Sequence, residues 1–257
     1  IRANWLQGKT EDASREYLSG LLIGAEIKSA KSWCQVSDAR IVASDSLAGQ
    51  NVQGIMIWPT RGKTDNLDFL RSNNIAVTLI DTNRYFDVHC SAKVDGIRGG
   101  HVAIGHLVDL GHTDITYVYE NTINQFIERG EGAKQAATDL GANLSFIEIP
   151  SPTTHGGELG AKKFLDSKSK SSAVFCGNDL IALGFMRGLI EAGIRIPEDI
   201  SVMGFDDIEL APNALVPLTT VAQDGYQLGY TATELVIQEC ELPDTHIHQH
   251  VLFQPEL

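Results

Sequence analysis

Carboxylates and amides stand where short apolar runs end. Asp81 follows Ile80, Asn178 and Asp179 follow Cys176-Gly177, Asp206 and Asp207 follow Phe205, and Gln223 and Asp224 follow Thr219-Thr220-Val221. In an open α/β sheet, ligands bind beyond the carboxyl ends of the strands. A carboxylate or amide there pairs with hydroxyls while its own strand holds it rigid. The same positions also suit helix N-caps and turns. Four of them at one end of the architecture favour a polar-ligand cleft. Arg129, in Glu128-Arg129-Gly130-Glu131-Gly132, lies in a polar stretch between a strand and an amphipathic helix. It offers a guanidinium that grips a hydroxyl pair or a carboxylate with two hydrogen bonds. A surface pairing with Glu128 or Glu131 is the alternative.

Metal and enzyme chemistry find less support. His246, His248 and His250 alternate, so on a strand they share one face, spread along ~13 Å, too far for one tetrahedral ion without a bend. Cys34, Cys90, Cys176 and Cys240 form no C-x-x-C pair and read as four separate reduced thiols, which fits a cytoplasmic address. There is no G-x-S-x-G elbow, no G-x-x-x-x-G-K-[ST] loop and no H-E-x-x-H pair. Gly96-Ile97-Arg98-Gly99-Gly100 does not supply the nucleotide-binding G-x-G-x-x-G after the first strand. Asp206 and Asp207 are adjacent, so on a strand they point to opposite faces and make a poor acid–base pair. No catalytic residue, metal site or cofactor is expected.

The elements that must position these groups alternate along the chain. Strand-like runs are Ile1–Leu6, Arg40–Ser44, Val52–Trp58, Ile75–Ile80, Ile115–Tyr119, Ser145–Ile149, Ala173–Cys176, Ile200–Phe205 and His246–Phe253. Several are apolar throughout, as strands covered on both faces are. Gly99–Leu110 reads as a helix closed by Gly111, and Asp179 as the cap of a helix ended by Gly193. This β–α–β alternation predicts a doubly wound α/β architecture. Over 257 residues, two sheets of five or six strands fit better than one of nine or ten. Trp58 at a strand end could stack on a sugar ring or pack within a lobe.

Charge narrows the partners. Thirty-three acids against 20 Lys and Arg give a net charge of −13, the wrong sign for gripping nucleic acid, which needs a basic surface to displace counterions. The composition, 43% hydrophobic and 21% charged, is that of a globular chain. No apolar run reaches the ~18 residues of a membrane span. The first residues lack the charged and apolar regions of a secretory signal.

Three ordered stretches carry a family resemblance: Ala173-Val174-Phe175-Cys176-Gly177-Asn178-Asp179-Leu180-Ile181-Ala182-Leu183-Gly184; Ile196-Pro197-Glu198-Asp199-Ile200-Ser201-Val202-Met203-Gly204-Phe205-Asp206-Asp207; and Pro217-Leu218-Thr219-Thr220-Val221 with Gln223 beyond. With Val94-Asp95, Gly99-Gly100 and Leu110-Gly111-His112 upstream, they resemble the effector-binding domain of the LacI/GalR family. The resemblance implies a periplasmic-binding-protein-like fold (type I), with two similar doubly wound parallel-sheet lobes joined by three crossings around a ligand cleft. It assigns residues 1–115 plus 224–241 to the N-terminal lobe and 116–223 plus 242–257 to the C-terminal lobe. Family members are mostly sugar- or metabolite-responsive regulators that dimerise through this domain and hold DNA with a basic helix-turn-helix headpiece, which is not visible in this sequence.

The resemblance therefore implies a cytoplasmic homodimer sensing a small sugar or related polyol, with operator DNA reached only through that headpiece. An extracytoplasmic sugar-binding protein of an ABC transporter is the alternative on the same fold. Carried over by position, the ligand-binding residues are Tyr17, Asp81, Asp95, Arg129, Asn178, Asp206 and Gln223. Where the family has an Asn-Pro-Phe-Phe-like segment, this chain reads Ser14-Arg15-Glu16-Tyr17, and Ala133 replaces the usual aromatic after Gly132. Fewer rings and more carboxylates point to a polyhydroxylated or cationic ligand.

Overall fold

The computed structural model describes residues 2–7, 35–39, 53–58, 70, 72–82 and 88–257. Tyr17 and the expected strand Arg40–Ser44 lie outside the described residues, as does the side chain of Trp58. The chain forms two compact units. Each is built on a parallel sheet with the same order of connection.

The first sheet runs β11-β5-β4-β3-β1-β2, from β1 (Arg2–Gln7), β2 (Gln35–Ala39), β3 (Gly54–Trp58), β4 (Ala76–Ile80), β5 (Cys90–Val94) and β11 (His250–Phe253). The second runs β10-β9-β8-β6-β7, from β6 (Asp114–Tyr119), β7 (Asn143–Glu148), β8 (Ala173–Cys176), β9 (Ser201–Asp206) and β10 (Thr219–Ala222). Numbered within each unit, both orders are 5-4-3-1-2, the flavodoxin-like doubly wound arrangement, with β11 added at the edge of the first. Five helices are described: α1 (Gly96–Asp109), α2 (Asn124–Leu140), α3 (Thr154–Asp166), α4 (Asp179–Glu191) and α5 (Gly225–Glu241).

Side-chain alternation explains why the second sheet is apolar on both faces. Val118, Val174, Cys176 and Val202 face a core completed by Phe164 of α3 and Phe185 and Leu189 of α4. Tyr117, Phe175, Met203 and Phe205 face the opposite core, with Ile104 and Leu107 of α1 and Ala133 and Ala136 of α2. In the first unit, Met56, Ile80, Ala92 and Val94 pack on Leu228, Ala232 and Val236 of α5.

Two boundaries differ from the expected lobes. Helix α1 belongs with the second unit, because Gly100 and Gly132 let it pack backbone-close on α2: a Cβ on Gly100 would overlap Arg129 O, and one on Gly132 would overlap Ile97 O. Strand β11 belongs with the first unit, pairing in parallel with β5 from His250↔Ser91 to Phe253↔Val94. Only residues 254–257 return to the second unit, where Ala222 and Glu256 form an antiparallel bridge. Among the described residues the chain thus passes between units at 94/95, 223/224 and 253/254.

Some element ends also move. His246–Gln249 is irregular and the strand begins at His250. The cap of α4 is Asn178, whose side chain accepts from Ile181 N, while Asp179 opens the first turn. Gly111 and Gly193 follow their helices at φ +94 and +79, the left-handed closure expected of them.

Candidate functional site

Four of the residues singled out by sequence gather at the carboxyl ends of β8, β9 and β10. Arg129 is not in a connecting stretch but inside α2, where it is 4% exposed. Its Nη1 donates to Gly177 O at 2.5 Å, and its Nη2 lies 3.4 Å from Asp206 Oδ1. The guanidinium carbon sits 3.5 Å from the centre of the Phe205 ring and 5.5 Å from that of Phe126. A planar cation stacked on one ring and flanked by another is held in orientation as well as in place. Burial excludes the surface pairing with Glu128 or Glu131.

Asp206 ends β9 at φ +113 and Asp207 follows at φ +54. The strand therefore turns sharply where the carboxylate is presented. Gln223 Nε2 donates to Asp206 Oδ1 at 2.6 Å, so one carboxylate oxygen receives both the amide and the guanidinium. Asn178, beside Gly177, spends its oxygen on Ile181 N at 2.9 Å and points its amide nitrogen to Pro152 O at 3.5 Å.

Two polar atoms of this cluster are buried without a hydrogen-bond partner among the described residues: Arg129 Nε, a donor, and Gln223 Oε1, an acceptor. Each such atom costs roughly 1–3 kcal/mol relative to a paired one. A donor and an acceptor in one place match a hydroxyl, which offers both functions.

Asp179 supports the site from behind. It is fully buried. Oδ1 accepts from Thr220 Oγ1 at 2.6 Å and Oδ2 from Ile208 N at 2.9 Å, tying α4 to β10 and to the turn after β9. Burial pushes its carboxyl up to about 6, against the lowering effect of those two hydrogen bonds. Cys176 is buried, and burial raises its thiol well above the usual range. The Tyr117 hydroxyl donates to Phe126 O at 2.8 Å.

Asp81 and Asp95 stand on other elements. Asp81 stands at the end of β4 in the first unit, buried, and accepts from Val94 N at 3.0 Å. Asp95 caps α1, accepting from Arg98 N at 2.9 Å, and falls in the second unit rather than the first. Phe126 is not among the residues singled out by sequence; its signal is its place one turn before Arg129, in a polar stretch that proves to be the first part of α2. Asp179 reads as a cap in the sequence, but its neighbour performs that role.

Residues 104–257 match the periplasmic binding protein-like domain family. The chain belongs to that family. Its similarity extends to LacI-family regulators, among relatives and solved structures. The chain is 29% identical over 217 residues to the HTH-type transcriptional repressor PurR of Photobacterium profundum, covering 82% of this chain and 64% of that protein. It is 35% identical over 157 residues to the ribose operon repressor of Haemophilus influenzae, covering 60% of this chain and 47% of that one. Among solved structures, a LacI family transcriptional regulator from Enterococcus faecium with bound ribose superimposes with a TM-score of 0.87 at 27% identity, covering 100% of this chain and 96% of that one. A regulator CelR–cellobiose complex shares the fold, with a TM-score of 0.88 at 22% identity over 99% of this chain and 82% of that one. The chain thus spans less than two thirds of the length of these repressor sequences.

Proposed function

We propose that the chain senses a small polyhydroxylated ligand, a sugar, and that the protein it belongs to is a cytoplasmic transcription regulator which this ligand controls. The observation that carries the reading is the pair of unpartnered buried atoms, Arg129 Nε and Gln223 Oε1, set beside the Asp206 carboxylate at the carboxyl ends of a parallel sheet. A vicinal diol supplies the missing acceptor and donor, and the buried Phe205 and Phe126 rings hold the guanidinium that meets it. Asn178 completes the set. Asp81, Asp95 and Tyr17 belong to the proposed ligand set as residues carried over by family position.

The groups gathered here bind rather than transform. Asp179, the acid raised toward neutrality, has both oxygens committed to Thr220 and Ile208, and the buried Cys176 thiol is held protonated. The −13 charge leaves DNA contact to a basic helix-turn-helix segment of the full regulator, which the names of the HTH-type relatives support. A ligand signals only if it binds one conformation of the domain better than another. Dimerisation would pass that bias to paired DNA heads.

Ribose is the first sugar to test, since a relative and a structural neighbour carry that name. Isothermal titration against ribose and a panel of pentoses, hexoses and disaccharides should give single-site binding for at least one. Arg129→Ala should weaken it by ~30-fold or more, the ~2 kcal/mol of a hydrogen bond to a charged group. Binding undiminished in both Arg129→Ala and Asp206→Ala rejects the site.

A further inference from the structure

The first unit gathers metal-ligating side chains that the ligand site does not use. Cys90 opens β5, Glu239 lies in the last turn of α5, and His246 stands in the segment between α5 and β11. One ligand atom from each lies within 4.8 Å of the others. Cys90 Sγ and His246 Nε2 are 3.0 Å apart, and Gln249 N donates to the same sulfur at 3.4 Å. His248 Nε2 is 3.6 Å from Glu239 Oε1, and its ring meets that of His246 edge-on at 5.8 Å. The other carboxylate oxygen, Glu239 Oε2, is buried without a hydrogen-bond partner among the described residues.

We propose that Cys90, Glu239, His246 and His248 form a binding site for a thiophilic transition-metal ion of the zinc class. The donor set is one thiolate, one carboxylate and two imidazoles, a combination that suits Zn²⁺ in four-coordinate geometry. Bonds of ~2.0–2.3 Å to a tetrahedral ion put the ligand atoms ~3.3–3.8 Å apart. The observed separations, from 3.0 Å for Cys90 Sγ–His246 Nε2 through 3.6 Å for His248 Nε2–Glu239 Oε1 to no more than 4.8 Å among the Cys90, Glu239 and His246 ligand atoms, bracket that range. A cavity of about 460 Å³ lined by Glu239, His246, His248 and His89 gives the ion a path inward.

Burial raises both the Cys90 thiol and the Glu239 carboxyl. A dication at this point reverses that preference: the Cys90 proton leaves to solvent and the sulfur lone pair takes the metal. Bound there, the ion would fasten the α5–β11 connection to β5.

This site was hidden by two features of the chain. Cys90 and His246 are 156 positions apart, so no close-spaced motif announces them; the β5–β11 pairing is what brings them together. The three alternating histidines are excluded as a chelate only if all lie on a strand. Residues 246–249 are not strand, and His250 turns instead to Ser91 Oγ at 3.0 Å.

The test is Co²⁺ titration of the 257-residue chain under reducing conditions, followed by displacement with Zn²⁺. The expected result is one equivalent of Co²⁺ with a thiolate-to-metal charge-transfer band and tetrahedral d–d absorption, both lost on adding one equivalent of Zn²⁺. Cys90→Ser should abolish the charge-transfer band, and His246→Ala should weaken binding by at least the ~10–100-fold that loss of an outer-shell partner costs. His250→Ala and Cys240→Ser should leave the band in place. No band in the wild-type chain overturns the proposal, as does a band that survives Cys90→Ser and vanishes in Cys240→Ser. Should Cys90→Ser lose its circular dichroism signature of folding, the half-buried His246→Ala decides: unchanged Co²⁺ affinity there contradicts the site.

Discussion

Removing Asp206 leaves the Arg129 guanidinium buried with Gly177 O as its one remaining close oxygen partner in the cluster. An uncompensated buried charge typically costs ~3 kcal/mol, so Asp206→Ala should lower the urea midpoint as well as ligand affinity. Arg129→Met in the same chain should recover part of that loss, and a double-mutant cycle should show coupling of ~1–3 kcal/mol. Asp179 makes a pH prediction. Its folded pKa of about 6 lies above the ordinary 3.8, so the folded state holds this proton more tightly than the unfolded one. The associated stability is fully present below about 3.8, and is lost as pH rises through about 6. Wild type should therefore gain stability relative to Asp179→Asn on acidification from pH 7 to 5, by roughly 1 kcal/mol, measured by paired thermal melts. Sequence showed Arg129, Asn178, Asp206 and Gln223 as strand-end or polar-segment groups. It could not show that Arg129 is buried, since its stacking on Phe205 joins residues 76 positions apart in the printed sequence.

At the scale of elements, both helix layers of the second sheet are closed by glycines against backbone. Gly100 and Gly132 do this between α1 and α2; Gly157, against Ile181 O, and Gly184, against Thr154 O, do it between α3 and α4. A carbonyl cannot swing aside as a side-chain tip can, so Gly132→Ala should cost ~1–3 kcal/mol by overpacking and displace Arg129, three residues earlier on the same helix. Gly105, on α1 with nothing within 4 Å of an added Cβ, makes the control: Gly105→Ala should stabilise by ~0.5–1 kcal/mol through helix propensity. Denaturant midpoints at constant slope distinguish the two. The strands legible in sequence are those with nearly unbroken apolar runs, such as β4 and β8. Strands β2 and β5, Gln-Val-Ser-Asp-Ala and Cys-Ser-Ala-Lys-Val, went unread because polar residues break the apolar run and their pairing partners, not their composition, make them strands.

The two units share one strand order; the β–α alternation behind it is legible in the sequence, the order itself is not. Nor is the placement of β11 and of α1, because which unit claims an element at a crossing depends on non-local packing. Leu252 on β11, Ile247 before it and Leu242 after α5 are exposed, at 49%, 79% and 60%; if the chain dimerises as proposed, sedimentation should show twice the monomer mass, and a monomer at micromolar concentration would contradict it. The proposed function rests on a polar ligand seated on the second sheet's carboxyl ends. A crystal structure grown with the tightest-binding sugar tests it most directly. It should show ligand oxygens within ~3.2 Å of Arg129 Nε and Gln223 Oε1. A sugar bound elsewhere, with both atoms still unpartnered, would contradict it.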